Sequence, residues 1–166
     1  LAADHRITLG DDAGIDDALR AAALQLDSPQ PAYRALAKFQ LCDVYSMASQ
    51  PEHAQPLCHE ADAAFTALHD EWNRAQAENV EGNNARFMGQ LQEARRYYEQ
   101  AQSRYLALGD HSQALMVGDN LAQVYLQEGK PAQAIVLSRA SLADERAAGR
   151  QSDALVSQYD IARALQ

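Results

Sequence analysis

The residues of this chain repeat with a period of 40, and that period restricts the architectures open to it. Ala54 recurs as Ala94 and Ala134, and the same offset relates Gly89 to Gly129. We call residues at the same position of successive repeats a column. Other columns that match are Leu41 with Leu121, Tyr45 with Tyr125, Ala61 with Ala101, and Leu68 with Leu108. A unit of this length cannot bury its apolar face alone, so neighbouring units must stack and share one core. The period therefore predicts a solenoid.

Two amphipathic helices fill each period. In the last full period, apolar residues recur at helical spacing from Leu115 to Tyr125. Gly129 then supplies a left-handed residue to end that helix, and Pro131 suits the first turn of the next. Alanine accounts for 33 residues, whereas valine, isoleucine and threonine together number only 12. This composition favours helix over strand.

The predicted fold is all-α: a right-handed α-α superhelix of about eight antiparallel helices, forming a single domain over residues 1–166. We expect the helices near residues 12–27, 30–48, 51–69, 71–88, 91–108, 111–128, 131–149 and 151–166. Three complete repeats, at 30–69, 70–109 and 110–149, separate a leading helix in 1–29 from a trailing helix in 150–166. Because both ends fall within a repeat, we expect a fragment of a longer chain.

The second and third repeats resemble tetratricopeptide repeats. The resemblance is carried by Asn79 to Ala85 with Gly89 and Ala94, and by Asn120 to Tyr125 with Gly129 and Ala134. The period exceeds the usual one of about 34 residues by six, which implies helices longer by nearly a turn. Long repeats of this kind resemble those of bacterial regulatory proteins, such as MalT-like activators, peptide-sensing regulators and amino-terminal modules of diguanylate cyclases.

Tetratricopeptide arrays bind peptides or protein segments on the concave face formed by the first helix of each repeat. The groove positions of that family can be transferred to the equivalent positions of these repeats. The resemblance then implies a groove formed by Phe39, Asp43, Asn79, Asn83, Arg86, Asp119, Gln123 and Tyr159. The lysines that clamp acidic chaperone tails are absent, because Phe39, Asn79 and Asp119 occupy their column. A basic or neutral ligand is therefore expected, and a solvated face without a ligand is the alternative.

Glu81 is the main departure from the repeat pattern. It occupies the column of Leu41 and Leu121, where a buried carboxylate is costly unless it is paired. Ala85, one turn later, replaces a tyrosine and would leave the repeat locally hollow. One interpretation is a buried polar site at Glu81, because functional sites often break local rules. The other is that the array bends here, Glu81 turns into water, and Gly82 only allows a close helix contact.

The sequence has no motif for catalysis, cofactor binding or metal binding. It lacks a glycine-rich phosphate loop, a nucleophile elbow and a paired-histidine helix, so we expect a non-enzymatic protein without cofactor or metal. With 14 basic and 23 acidic residues the net charge is -9, which repels nucleic acids and anionic membrane surfaces. No apolar run reaches the ~20 residues of a membrane span.

Cys42 and Cys58 occupy columns that pack toward each other within one repeat. The preferred interpretation is two reduced core thiols, since free cysteine is commonly buried. A disulfide is the alternative, and a metal site with His59 has the wrong ligand number for zinc. We expect a cytoplasmic location, with a periplasmic one if the two cysteines are bonded.

These features together predict a non-catalytic scaffold that captures a protein segment on its concave face. The resemblance implies the sensor or regulatory module of a larger bacterial signalling protein, such as a diguanylate cyclase or a transcription regulator. Two alternatives remain. The chain could self-associate, for example as a homodimer, with an empty groove, or it could be a chaperone-like carrier.

Overall fold

The computed structural model describes residues 12–147, with side-chain surroundings for 17–22 and 24–143. This range contains seven α-helices and no strand. They are α1 (Asp12–Leu26), α2 (Pro31–Met47), α3 (Pro51–Ala67), α4 (Glu71–Phe87), α5 (Leu91–Ala107), α6 (His111–Gln127) and α7 (Pro131–Ala147). The predicted all-α solenoid is confirmed. The helix predicted at 151–166 lies outside the described residues.

Three-residue turns join the helices from α2 onward, and the middle residue of each turn is left-handed. These residues are Ser49, His69, Gly89, Gly109 and Gly129, with φ of 57°, 56°, 75°, 75° and 70°. They recur every 20 residues, because a 17-residue helix and its turn make half a repeat. Glycine adopts this conformation freely, whereas serine and histidine are strained in it.

The helices start at predictable residues. Proline occupies the first position of α2, α3 and α7, where its missing N–H costs nothing. Asp70 and Asp110 precede α4 and α6, and their side chains accept hydrogen bonds from the backbone N–H of Asn73 and Gln113, each at 3.1 Å. These caps satisfy backbone donors that a helix start leaves unpaired.

Each helix packs against the next one in the chain, but the first and second helices of the repeats differ in their further contacts. The first helices, α2, α4 and α6, also contact one another in series. Within residues 12–147, the backbones of the second helices α3, α5 and α7 do not. The first helices therefore form the inner, concave side of the array, and the second helices are spread along the outer side with grooves between them.

The two helices of a repeat meet at one junction column, which is filled differently each time. In the first repeat Cys42 and Cys58 are joined by a disulfide with their Cα atoms 5.1 Å apart. Gly82 lies against the ring of Tyr98 in the second repeat, and Ala122 and Ser138 are both buried at the equivalent positions of the third. The disulfide corrects the expectation of two reduced thiols, because the columns bring the sulfur atoms within bonding distance.

None of the described helices is both long and apolar enough to cross a membrane.

Candidate functional site

Three of the predicted groove residues form a polar column along the first helices. Asp43, Asn83 and Gln123 are half-buried on α2, α4 and α6, one repeat apart. In the neighbouring column Asn79 and Asp119 are also half-buried, and the Asn79 Oδ1 accepts a hydrogen bond from Asn120 Nδ2 at 3.1 Å. The structure thus places these predicted groove residues on the first helices, which contact one another in series.

Two of the predicted groove residues contact side chains of the neighbouring helices. Phe39 packs edge-on against Phe65, with 6.2 Å between ring centroids, so its ring contributes to the core. The Asn83 Oδ1 accepts a hydrogen bond from the Tyr98 hydroxyl at 2.7 Å. Tyr159 lies outside the described residues.

Arg86 completes a small polar group around the Tyr98 hydroxyl. Burial raises the pKa of Tyr98, and the adjacent Arg86 guanidinium offsets part of that rise. The Arg86 Nε is buried and has no hydrogen-bond partner among the described residues. Arg86, Asn83 and Tyr98 therefore place a cation, an amide and a phenol close together at α4.

A second polar site lies on the opposite, outer side, in the groove between α3 and α5. The floor of this groove is α4, which contributes Glu81. His59 Nε2 lies 3.0 Å from Glu81 Oε1 and 3.3 Å from Tyr97 Oη. His59 and Tyr97 thus form a bridge across the groove directly above Glu81.

Glu81 is buried beneath this bridge. Its side chain is only 4% exposed, so the interpretation in which Glu81 turns into water is wrong. The interpretation of Gly82 as a close-contact residue is correct, because the Tyr98 ring occupies the space beside it. The sequence thus draws attention to Glu81, but it does not predict the side chains that contact it.

The bridge separates two cavities that both reach Glu81. The Ala85 cavity, of about 140 Å³, lies toward the end of α4. It is lined by Gln55, His59, Glu81, Asn84, Ala85, Met88, Gln90, Glu93 and Tyr97. The Arg74 cavity, of about 210 Å³, lies toward the start of α4. It is lined by His59, Asp62, Arg74, Glu78, Glu81, Arg96, Tyr97 and Gln100.

The charges of the Arg74 cavity are largely paired. Asp62 accepts a hydrogen bond from Arg74 Nε at 2.9 Å. Glu78 is buried and accepts from Arg104 Nε at 2.9 Å, and Arg104 also binds Glu71. Burial still raises the pKa of Glu78, although Arg104 opposes this rise.

Glu81 differs from Glu78 because no arginine or lysine in the described part of the chain forms an ion pair with it. Burial, together with the negative charges of Asp62 and Glu78, raises the pKa of Glu81 to about 8, and the positive charge of Arg96 opposes only part of this rise. The carboxyl is therefore mostly protonated at neutral pH. A buried acid with a shifted pKa beside a cavity is a candidate functional group.

No group of three histidine, cysteine, aspartate or glutamate side chains within the described residues is arranged to hold a metal ion.

An array of antiparallel helix pairs stacked side by side defines an α-solenoid repeat protein. A family model described as tetratricopeptide repeat matches residues 73–144, which include α5, α6 and most of α4 and α7. Residues 73–144 therefore match the tetratricopeptide repeat family, which the sequence resembles.

Solved structures show the same fold over nearly the whole chain. One is a protein from Podosopora anserina described as a kinesin light chain with nearly identical TPR-like repeats. It has a TM-score of 0.78 at 20% identity, and the match covers 98% of this chain and 81% of that one. BtubC (BKLC) from P. vanneervenii has a TM-score of 0.71 at 17% identity, covering 98% and 72%. The search of curated proteins gave no match.

Proposed function

We propose that this chain is a non-catalytic scaffold that binds a segment of a partner protein along its concave face. The tetratricopeptide fold supports the role of a protein-binding scaffold, since such repeats are typically protein-interaction scaffolds. The observation that supports binding along the concave face is the column of Asp43, Asn83 and Gln123. These residues repeat along three first helices that contact one another in series.

The chemistry of this column suits an extended peptide backbone. An amide side chain offers both a donor and an acceptor, so it can bind a peptide group whatever the side chain of the ligand. The Tyr98 hydroxyl fixes the Asn83 amide by donating to its Oδ1. Because the amide is held before the ligand arrives, less side-chain entropy is lost on binding.

The charge of the molecule favours a basic or neutral segment as ligand. The chain has a net charge of -9, and the two predicted groove columns include Asp43 and Asp119. Opposite charge on the ligand would speed association and disfavour acidic competitors.

The bacterial regulatory resemblance supports a sensor or regulatory module of a larger signalling protein. In this proposal, groove occupancy shifts an equilibrium between two arrangements of the array, which requires that the segment bind one arrangement more tightly. An output domain of the same protein, such as a diguanylate cyclase or a DNA-binding domain, would respond to that shift.

The Cys42–Cys58 disulfide supports a periplasmic location for this sensor over a cytoplasmic one, since disulfides persist in oxidising compartments. Rapid alkylation of thiols in intact cells tests this. Protection of both cysteines until reductant is added is the expected result. Two freely alkylated thiols in native cells would favour the cytoplasm.

Affinity capture from a native lysate tests the concave site. The groove variant is Asn79→Ala with Gln123→Ala, and its matched control is Gln92→Ala with Gln133→Ala, which removes exposed amides from the second helices α5 and α7. A partner held by wild type and control, but lost by the groove variant, supports the proposal. Equal capture by all three, or recovery of only the chain itself, favours self-association or another surface.

Asn83 is left out of that variant for a physical reason. Asn83→Ala would remove the acceptor of a buried tyrosine hydroxyl, at a cost of about 1–3 kcal/mol. To test Asn83 in binding, it should be changed together with Tyr98→Phe, so that no hydroxyl is stranded. Circular dichroism then confirms that each bait remains folded.

A further inference from the structure

We propose that the Ala85 cavity on the outer side binds a primary ammonium group, supplied by a lysine side chain or by a small alkylamine. This site lies across α4 from the concave column, in the groove between α3 and α5. It is a second recognition site and does not depend on the concave one.

Two substitutions on one face of α4 create the cavity. Where the flanking repeats have Leu41 and Leu121, this repeat has Glu81; where they have Tyr45 and Tyr125, it has Ala85. The two residues are four apart, so both point to the same side of the helix. The missing ring leaves space and the new carboxyl forms its floor. Neither flanking repeat combines these two changes.

The lining of the cavity has negative and neutral polar groups but no lysine or arginine. Glu93 at its rim is already paired with Arg96 at 2.8 Å. Glu81 has only His59 as an ion-pair partner in the described part of the chain, and that imidazole is 53% exposed. The buried carboxyl of Glu81 therefore faces an open space whose lining contains no lysine or arginine, and leaving a buried carboxylate unpaired is costly.

A primary ammonium matches the acceptors available. It carries three N–H donors, and the cavity offers the Glu81 carboxyl, the Tyr97 hydroxyl and the amide of Asn84. Asn84 Nδ2 is directed toward Cys58 Sγ at 3.6 Å, which leaves Asn84 Oδ1 as an acceptor. A guanidinium is flat and prefers two-pronged contact with an open carboxylate, so it suits this site less well.

The size of the cavity supports an organic ammonium. At about 140 Å³ it exceeds the ~30 Å³ that one water occupies in the liquid. Ala85 and Met88 line it with apolar surface that can contact methylene groups. A lysine side chain has both parts, an apolar stem and a compact charged end.

The pH dependence of binding follows from the state of Glu81 in the free protein. Its pKa is about 8 because of burial and the neighbouring acids, so an incoming ammonium must displace a proton from it below that pH. Affinity should then rise as the pH increases from 6 to 8. The charged or titratable groups facing Glu81 are His59 and Asp62 on α3, Arg74 and Glu78 on α4, and Glu93, Arg96 and Tyr97 on α5.

Isothermal titration with n-butylamine, and with a capped lysine tripeptide, tests the proposal between pH 6 and pH 8. The variants are Glu81→Gln, which removes the charge, and Ala85→Tyr, which restores the ring of the flanking repeats. The matched control is Glu60→Gln, an exposed acid on α3 that lines neither cavity. Circular dichroism checks that all four proteins are folded.

We expect saturable binding by wild type and control, tightening from pH 6 to pH 8 with release of a proton at pH 7. Each cavity variant should bind at least about tenfold more weakly, as for loss of a charge-assisted hydrogen bond. Binding of the tripeptide but not butylamine would identify a protein lysine as the ligand, and equal binding a free amine. No binding at pH 8, or equal affinity in wild type and Glu81→Gln, would overturn the proposal.

Discussion

Gly82 and the ring of Tyr98 share one space at the junction of α4 and α5. A Cβ on residue 82 would lie 2.6 Å from Tyr98 Cε1, which is closer than such atoms ever approach. The Tyr98 ring is fully buried there, and its hydroxyl reaches Asn83 on the concave side at 2.7 Å. The missing side chain of Gly82 on α4 thus lets Tyr98 of α5 reach across the junction and hold Asn83.

Gly82→Ala should destabilise the protein by about 2 kcal/mol, because overpacking forces the buried Tyr98 ring to move. Tyr98→Ser removes that ring and, combined with Gly82→Ala, reproduces the Ala122–Ser138 junction of the next repeat. In the Tyr98→Ser background, Gly82→Ala should therefore leave the free energy of unfolding nearly unchanged or raise it, since alanine is a better helix former than glycine. Urea denaturation of the four proteins measures the coupling, and an equal cost in both backgrounds would refute it.

Glu81→Leu should raise the free energy of unfolding at pH 7, by about 1–4 kcal/mol, because it replaces a poorly paired buried carboxyl with the leucine of the flanking repeats. Glu60→Leu is the control, since that exposed position should change stability by no more than ~0.5 kcal/mol. Thermal and chemical denaturation at pH 7 check this. A loss of stability in Glu81→Leu would show that the His59–Glu81 contact holds the repeat together.

The stability of wild type should fall as the pH rises from about 4.5 to 8. The Glu81 pKa is raised from 4.5 to about 8 in the folded state, so between these values the folded chain holds a proton that the unfolded chain releases. The stabilisation that comes from this bound proton is fully present below pH 4.5 and is lost by pH 8. Between these values the free energy of unfolding falls by up to ~1.4 kcal/mol per pH unit. Glu81→Gln should show a smaller slope across this window, and an unchanged slope would contradict the assigned pKa.

His69→Gly and Ser49→Gly should each stabilise the protein, by about 0.5–1 kcal/mol. Both residues have a positive φ, of 56° and 57°, where a side chain costs about 1–2 kcal/mol and glycine costs nothing comparable. Gly109→Ala, at the equivalent turn with φ 75°, should do the reverse. Melting temperatures of the three variants check the sign, and a destabilised His69→Gly would mean that this side chain stabilises the turn.

Loss of the Cys42–Cys58 bond should lower the free energy of unfolding by about 3 kcal/mol, the usual effect for a closed loop of this size. Denaturation with and without reductant measures the change. The control is Cys42→Ala with Cys58→Ala, whose stability should not respond to reductant. A wild-type protein equally stable in both conditions would show that the bond adds nothing to the fold.

The sequence predicts the helices well because their signals are local. Glycine at 89, 109 and 129 and proline at 31, 51 and 131 mark the turns and helix starts within a residue or two. The turns at Ser49 and His69 are harder to recognise, because neither residue marks a left-handed turn in the way that glycine does. Only the 20-residue spacing of the turns locates these two in the sequence.

The candidate sites are less accessible to sequence reasoning. Glu81 stands out because it replaces a leucine of the repeat pattern. His59 and Tyr97 lie on other helices, and no regular sequence spacing relates them to Glu81. Which side chains reach a groove depends on how three helices pack, and that is not a property of any one segment. Likewise, the spacing of Cys42 and Cys58 predicts that they are neighbours but does not state their oxidation state.

Site-specific photo-crosslinking is the most direct test of the concave binding site. A photoreactive phenylalanine replaces Gln123 on α6 or, as control, Gln133 on the outer side of α7, and each protein is irradiated in native lysate. We expect a crosslinked partner segment from position 123 and none from position 133. A partner that crosslinks from 133 but not from 123 would contradict the concave binding site.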